Sequence, residues 1–239
     1  MRVLPTPADV ATAGAAGADP LARWAAQTLS PGRGGAAWAH GDGVAVLAPS
    51  LNRFDRLVLT GPAADVAVLL RAHVRPGLRP LVTTAVADEL DWPQRGTFGW
   101  MQRGGSLDGA TGARWLGEDE WDDVEALLRK ANPDSWTWPR EPGPTRWAGA
   151  HVDGALVAVG ADAWSATDVG FVGGVATHPD HRGRSWAGQV CAFLVSALLA
   201  ELGTCALMVD ASNAPAIAVY RRLGFDYRSV TALRDSAHT

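Results

Sequence analysis

Hydrophobic residues along this chain switch between a spacing of two and a spacing of three to four, and the switches mark its elements. An Ala-rich run around Pro20 to Leu29 has helical spacing. Ala36 to His40 and Val44 to Ala48 flank Gly41-Asp42-Gly43, which predicts a β-hairpin. Arg56 to Thr60 predicts a further strand. Gly61 and Pro62 then open a helix to about Val74, with Val66, Leu69, Leu70 and His73 on one face. Shorter elements follow through Met101. In the second half, Gly117 to Ala131 places Trp121, Val124, Leu127 and Leu128 at helical spacing behind the acidic first turn Glu118-Asp119-Glu120, and Asn132-Pro133-Asp134 stops it. Trp147 to His151 and Ala155 to Ala161 form a hairpin about Asp153-Gly154. Gly170 to Thr177 is a strand that Pro179 terminates. Val190, Phe193, Leu194, Ala197 and Leu198 define one face of a helix from Ser185 to Leu202. A strand from Cys205 to Asp210 and a short helix close the series.

The strand-to-helix junction Val175 to Gly188 is the stretch most suited to chemistry. The first turn of a helix carries unpaired N–H groups and the positive end of the dipole, so an anion placed there gains several hydrogen bonds. Arg182 and Arg184 add full charges beside those amides. Downstream, Asn213 can cap a helix whose early Pro215 suits the first turn, and Gly224 supplies the left-handed residue that ends it.

With both halves in view, Val175 to Phe225 resembles the GNAT acyltransferase superfamily. Its signature is an Arg/Gln-x-x-Gly-x-Gly/Ala loop followed by an Asn-x-x-Ala-x-x-x-Tyr-x-x-x-Gly-Phe helix. Asn213, Ala216, Tyr220, Gly224 and Phe225 match the second part; Arg182 and Ala187 match the ends of the first. Ser185 departs from the family, standing where glycine is usual. If that position needs a positive φ, its Cβ costs on the order of 1 kcal/mol, although its hydroxyl could donate to a phosphate.

The resemblance covers roughly Ala113 to Leu233, and it implies an α/β (α+β) protein whose catalytic part has a mixed, splayed central sheet flanked by helices. It further implies that Val175, Ala176 and Thr177 offer backbone groups to the pantetheine arm of acetyl-CoA. The diphosphate then sits on Arg182, Gly183, Arg184, Ser185, Trp186, Ala187 and Gly188, although Trp186 fits packing better than ligand contact. Asn213 meets the CoA arm as well as capping its helix, and Tyr220 is the general acid. No strand carboxylate serves as base, because Met208 and Phe171 occupy the positions where one is expected. Asp210, His178 and Asp180 remain as candidates by proximity in sequence.

Composition narrows the setting. The chain has 239 residues, 47% of them apolar, and a net charge of −4, which argues against a nucleic-acid surface. The N-terminus lacks a signal-peptide core, and the longest uncharged apolar stretch, Val190 to Ala200, is short of the ~20 residues that span a bilayer, so a cytoplasmic protein without a membrane partner is expected. Cys191 and Cys205 read as two buried free thiols. His40, His73, His151, His178, His181 and His238 form no ligand-spaced cluster, so no metal is expected.

The Gly-rich stretch 103–112 reads as a linker between a small α/β domain, 1–102, and a catalytic domain, 113–239. The first half has a strand, strand, strand, helix rhythm but no anion loop; whether it is a degenerate GNAT-like domain stays open. The expected activity is transfer of an acetyl group from acetyl-CoA to a primary amine of a small molecule or peptide. A catalytically silent CoA-binding or sensor protein, and a transferase of a larger acyl group, are the alternatives. Trp136, Trp138 and Trp147 either line an apolar acceptor site or fill the core. The sequence leaves the oligomeric state open.

Overall fold

The computed structural model describes residues 1–108 and 112–236. In chain order the elements are β1 (Arg2–Val3), α1 (Pro7–Ala11), α2 (Gly14–Ala18), α3 (Pro20–Ala26), β2 (Ala36–His40), β3 (Gly43–Leu51), β4 (Phe54–Thr60), α4 (Ala63–His73), β5 (Arg79–Thr83), α5 (Thr84–Glu89) and β6 (Gln94–Gly104). There follow β7 (Arg114–Trp115), α6 (Trp121–Ala131), β8 (Pro144–Val152), β9 (Ala155–Ala163), β10 (Gly170–Thr177), α7 (Trp186–Leu202), β11 (Thr204–Val209), α8 (Ala214–Arg222) and β12 (Asp226–Leu233). They gather into two compact units. One comprises Met1–Trp100, Val209–Ser212 and the segment from Tyr227 onward; the other comprises Met101–Met208 and Asn213–Asp226.

In the first unit the strands lie in the order β1-β2-β3-β4-β5-β12-β6. The predicted hairpin is there, with Ala36↔Leu47 through His40↔Gly43 in register. β4 and β5 run parallel, joined by the crossover helix α4. The core forms where alternate strand residues meet one face of α4: Ala45, Leu57, Leu59 and Val82 against Val66, Leu69 and Leu70. Leu233 of the last strand completes that core.

The second unit orders its strands β11-β10-β9-β8-β7, with β10 and β11 parallel and the other pairs antiparallel. α7 lies against β9 and β10. It buries Val190, Cys191, Leu194, Val195, Leu198 and Leu199, and Gly203 ends it in the left-handed conformation at φ 76°. Gly160 of β9 lets the helix come close: a Cβ there would stand 2.8 Å from Leu194 Cδ1.

Two boundaries differ from the sequence reading. β6 runs on to Gly104, so Arg103 and Gly104 of the stretch read as a linker are strand; Gly109, Ala110 and Thr111, like His238, lie outside the described residues. The span 113–239 does not stay together either. β12 pairs antiparallel with β5, Val230↔Thr83 through Ala232↔Leu81, and so belongs to the first unit. The physical reason is burial: Val230, Thr231 and Leu233 are each 0% exposed, and without them β5 would present an open edge.

Candidate active site

The site is built on a local fault in β10. Its pairing with β11 spans Gly170↔Cys205, Phe171↔Ala206 and Val172↔Leu207. Its pairing with β9 is regular to Gly173↔Ala161 and resumes at Ala176↔Val159, so β10 carries one extra residue between them. Gly174 makes the bulge at φ 61°, and only glycine fits, since a Cβ would lie 2.6 Å from the ring of the fully buried Trp147. Val175 sits in the bulge with Gly174, and Ala176 and Thr177 beyond it pair with Val159 and Ala158 of β9; all three lie outside the β11 ladder. This is the splay expected from the sequence.

From Thr177 the chain passes through a 3₁₀ turn, Pro179–His181, into α7. Gly183 has φ 75° and Ser185 has φ 62°, so two of the three residues before the helix are left-handed. Ser185 stands at the N-cap without a side-chain cap bond, and the first intrahelical bond runs from the Gln189 amide to the Ser185 carbonyl at 3.0 Å. The amides of Trp186, Ala187 and Gly188 therefore have no carbonyl to meet. Nothing stands within 4 Å of a Cβ placed on Gly183 or Gly188, so the approach to these amides is open. The buried Oγ1 of Thr177, Nδ1 of His181 and Nε1 of Trp186 also lack partners.

The two arginines of the loop part company. Arg184 is exposed and bonded to nothing among the described residues. Arg182 donates from Nη2 to the carbonyl of Ala131, the last residue of α6, at 3.0 Å, and lies 3.4 Å through Nε from the Thr177 carbonyl. In this geometry it ties the loop to a helix C-terminus.

On α8, Asn213 caps the helix by accepting from the Ala216 amide at 3.1 Å. Tyr220 is buried, at 8% exposure, with its ring 6.0 Å from that of Phe225. Burial, together with the neighbouring thiols of Cys191 and Cys205, holds its phenol well above the ordinary value. Both thiols are free and buried; burial pushes Cys191 up to about 12 and Cys205 further in the same direction. Tyr220 thus stays protonated at physiological pH.

The base candidates fare differently. Asp210 accepts from the Ser212 amide at 2.8 Å and the Ser212 hydroxyl at 2.6 Å, and these bonds lower its pKa. His178 accepts from the Asp180 amide at 3.3 Å and borders a cleft of about 330 Å³ beside Asp123, Leu127, Lys130 and Leu156. Asp180 lies 3.8 Å from the His178 imidazole. Asp162, on β9, is held by Arg146 at 3.0 Å and by the Ser165 hydroxyl, which marks it as structural. Of the tryptophans, Trp147 is core and Trp136 is 51% exposed. Sequence reasoning missed Thr137: it is buried against the bulge, its Oγ1 2.9 Å from where a Gly173 Cβ would be. It sits in an aperiodic loop that offers no signal.

Among the described residues no group of three or more His, Cys, Asp or Glu could hold a metal ion, and no helix is long and apolar enough to cross a membrane.

Residues 113–225 match the model of the acetyltransferase (GNAT) family. The fold is similar to that of a GNAT-family protein from Novosphingobium aromaticivorans, at 21% identity over 83% of this chain and 90% of that one, with a TM-score of 0.50. It is also similar to a GCN5-related N-acetyltransferase from Kribbella flavida, at 18% identity over 82% and 88% of the two chains, with a TM-score of 0.53. A GNAT-family acetyltransferase from Colwellia psychrerythraea gives 14%, 83%, 85% and 0.50 in the same terms. No curated protein matches the sequence. At these identities the likeness is one of fold: a mixed sheet flanked by helices.

Proposed function

Since residues 113–225 match the GNAT acetyltransferase family model, we propose that the chain is a member of that family, an N-acetyltransferase taking acetyl groups from acetyl-CoA to a primary amine of a small molecule or peptide in the cytoplasm. The observation that carries the reading is the bulged, splayed β10 leading into an uncapped helix start. Open amides, a free arginine and unpaired buried polar atoms are what a diphosphate-bearing ligand requires.

Acetyl-CoA supplies the activated acyl group as a thioester. Residues Val175, Ala176 and Thr177 pair their backbone with its arm as an added strand would. The amides from Gly183 to Gly188, with Arg184, hold the diphosphate, while Arg182 fixes the loop from behind. Asn213 caps α8 and meets the CoA arm. As the amine nitrogen bonds to the acyl carbon and the carbon–sulfur bond breaks, the sulfur keeps the electron pair and Tyr220 gives it a proton. The amine's own proton leaves through water, which suits an acceptor of low pKa such as an α-amino group near 8. In the first half, the order β2-β3-β4-α4-β5-α5 repeats the order β8-β9-β10-α7-β11-α8, which supports a degenerate GNAT-like domain.

Release of free thiol from acetyl-CoA across a panel of amines tests the activity, after a binding measurement with CoA alone. Amine-dependent release is expected. Tight CoA binding without release for any amine would favour the silent binding or sensor protein, a reading that the missing strand carboxylate supports.

A further inference from the structure

The first unit carries arginines that its fold leaves without counter-charge. Arg56 on β4 pairs directly with Arg79 on the parallel strand β5, so the two side chains leave the same face of the sheet side by side. Phe54, two residues earlier on that face, lies 3.3 Å from the Arg79 guanidinium and 5.3 Å from that of Arg56. Arg56 is only 3% exposed, yet it donates to neutral acceptors alone: from Nε to the Leu51 carbonyl at 2.9 Å and from Nη2 to the Asn52 carbonyl at 3.3 Å. Neither Arg56 nor Arg79 pairs with a carboxylate among the described residues.

Burial and the charge of Arg79 bring Arg56 down to about 10, and burial and the charge of Arg95, an exposed residue of β6, lower Arg79 in turn. The local acids are engaged elsewhere. Asp55 accepts from the Ser50 amide at 2.8 Å. Asp235 feels the charges of Arg95 and Arg234 but accepts from the Gly77 amide at 2.7 Å. A buried charge beside a like charge is held at a cost that an incoming anion removes. Arg56 keeps Nη1 after its bonds to Leu51 and Asn52, and the Arg79 guanidinium makes no hydrogen bond among the described residues, so their remaining donors can meet one oxyanion. The feature lies at the entry ends of β4 and β5. The turn that answers in chain order to the β10–α7 loop, Gly61-Pro62, is at the exit end of β4.

We propose that Arg56 and Arg79 form a binding site for a phosphate group carried by a small molecule, separate from the site on α7. The probe is inorganic phosphate, titrated calorimetrically into the full chain at constant ionic strength with chloride as background, alongside thermal melts. Saturable binding is expected. Arg79→Gln should weaken it at least tenfold while melting in chloride no lower than the wild type, because a repulsion is relieved. Arg184→Gln should leave the binding of phosphate to this site in place. The proposal is overturned if phosphate stabilises no more than chloride at equal ionic strength. It is equally overturned if phosphate binding survives Arg79→Gln and is lost in Arg184→Gln. A drop in melting temperature of Arg79→Gln in chloride as large as its loss of phosphate stabilisation would make the arginines structural props and also overturn it.

Discussion

Ser185 holds a left-handed backbone, φ 62°, with a side chain that caps nothing. A Cβ in that conformation costs about 1 kcal/mol, so Ser185→Gly should raise stability by roughly that amount in urea unfolding and keep or improve CoA affinity. A loss of affinity above about tenfold would show instead that the hydroxyl is a ligand. Tyr220 calls for a different variant. Tyr220→Phe keeps the ring against Phe225, so acetyl-CoA affinity should stay nearly unchanged while kcat falls on the order of a hundredfold. Wild-type turnover where chemistry is limiting would make it a core tyrosine. Its raised pKa also has a consequence for stability. A phenol raised in the folded state contributes stability that is fully present below the ordinary value of 10.0 and lost as pH rises toward the folded value. Stability should therefore decline above about pH 10, and less steeply in Tyr220→Phe. The motif residues were legible because each stands at a fixed offset from its neighbours. The bond from Arg182 to Ala131 was not, since its partner lies 51 residues away in sequence.

At the scale of elements, α7 and α8 were readable almost to the residue, because their periodicity and caps are local. The bulge in β10 was not. Gly173-Gly174 gives no sign of whether the chain bends, and the answer comes from Trp147 pressing on Gly174 from another strand. Replacing that glycine combines a strained φ with a clash against a fully buried ring. Gly174→Ala should therefore destabilise by about 2–4 kcal/mol in denaturant titration. An unchanged midpoint would mean that β10 is not held by this contact. β6 escaped notice as a long strand because Gly96, Gly99 and Gly104 interrupt its pattern.

For the whole molecule, chain order misled where burial decides. β12 follows α8 in sequence and so was read with the second half, but its apolar residues fill the core of the first unit. Ending the chain after Asp226 removes the burial of Val230 and Leu233, each worth about 1.5–3 kcal/mol. Against a domain stability of roughly 5–15 kcal/mol that is a large part, so limited proteolysis should then cut within residues 1–100. Unaltered resistance there would contradict the assignment of β12. The central claim, that acetyl-CoA binds on the start of α7, is tested most directly by calorimetric titration of the full chain with acetyl-CoA, wild type beside Gly188→Leu. Nothing stands within 4 Å of a Cβ at Gly188, so a side chain there starts in open space beside the open amides. The account predicts one saturable site in the wild type and at least a tenfold weaker one in a variant of unchanged melting temperature. Absence of binding in the wild type, or equal affinity in Gly188→Leu, would contradict it.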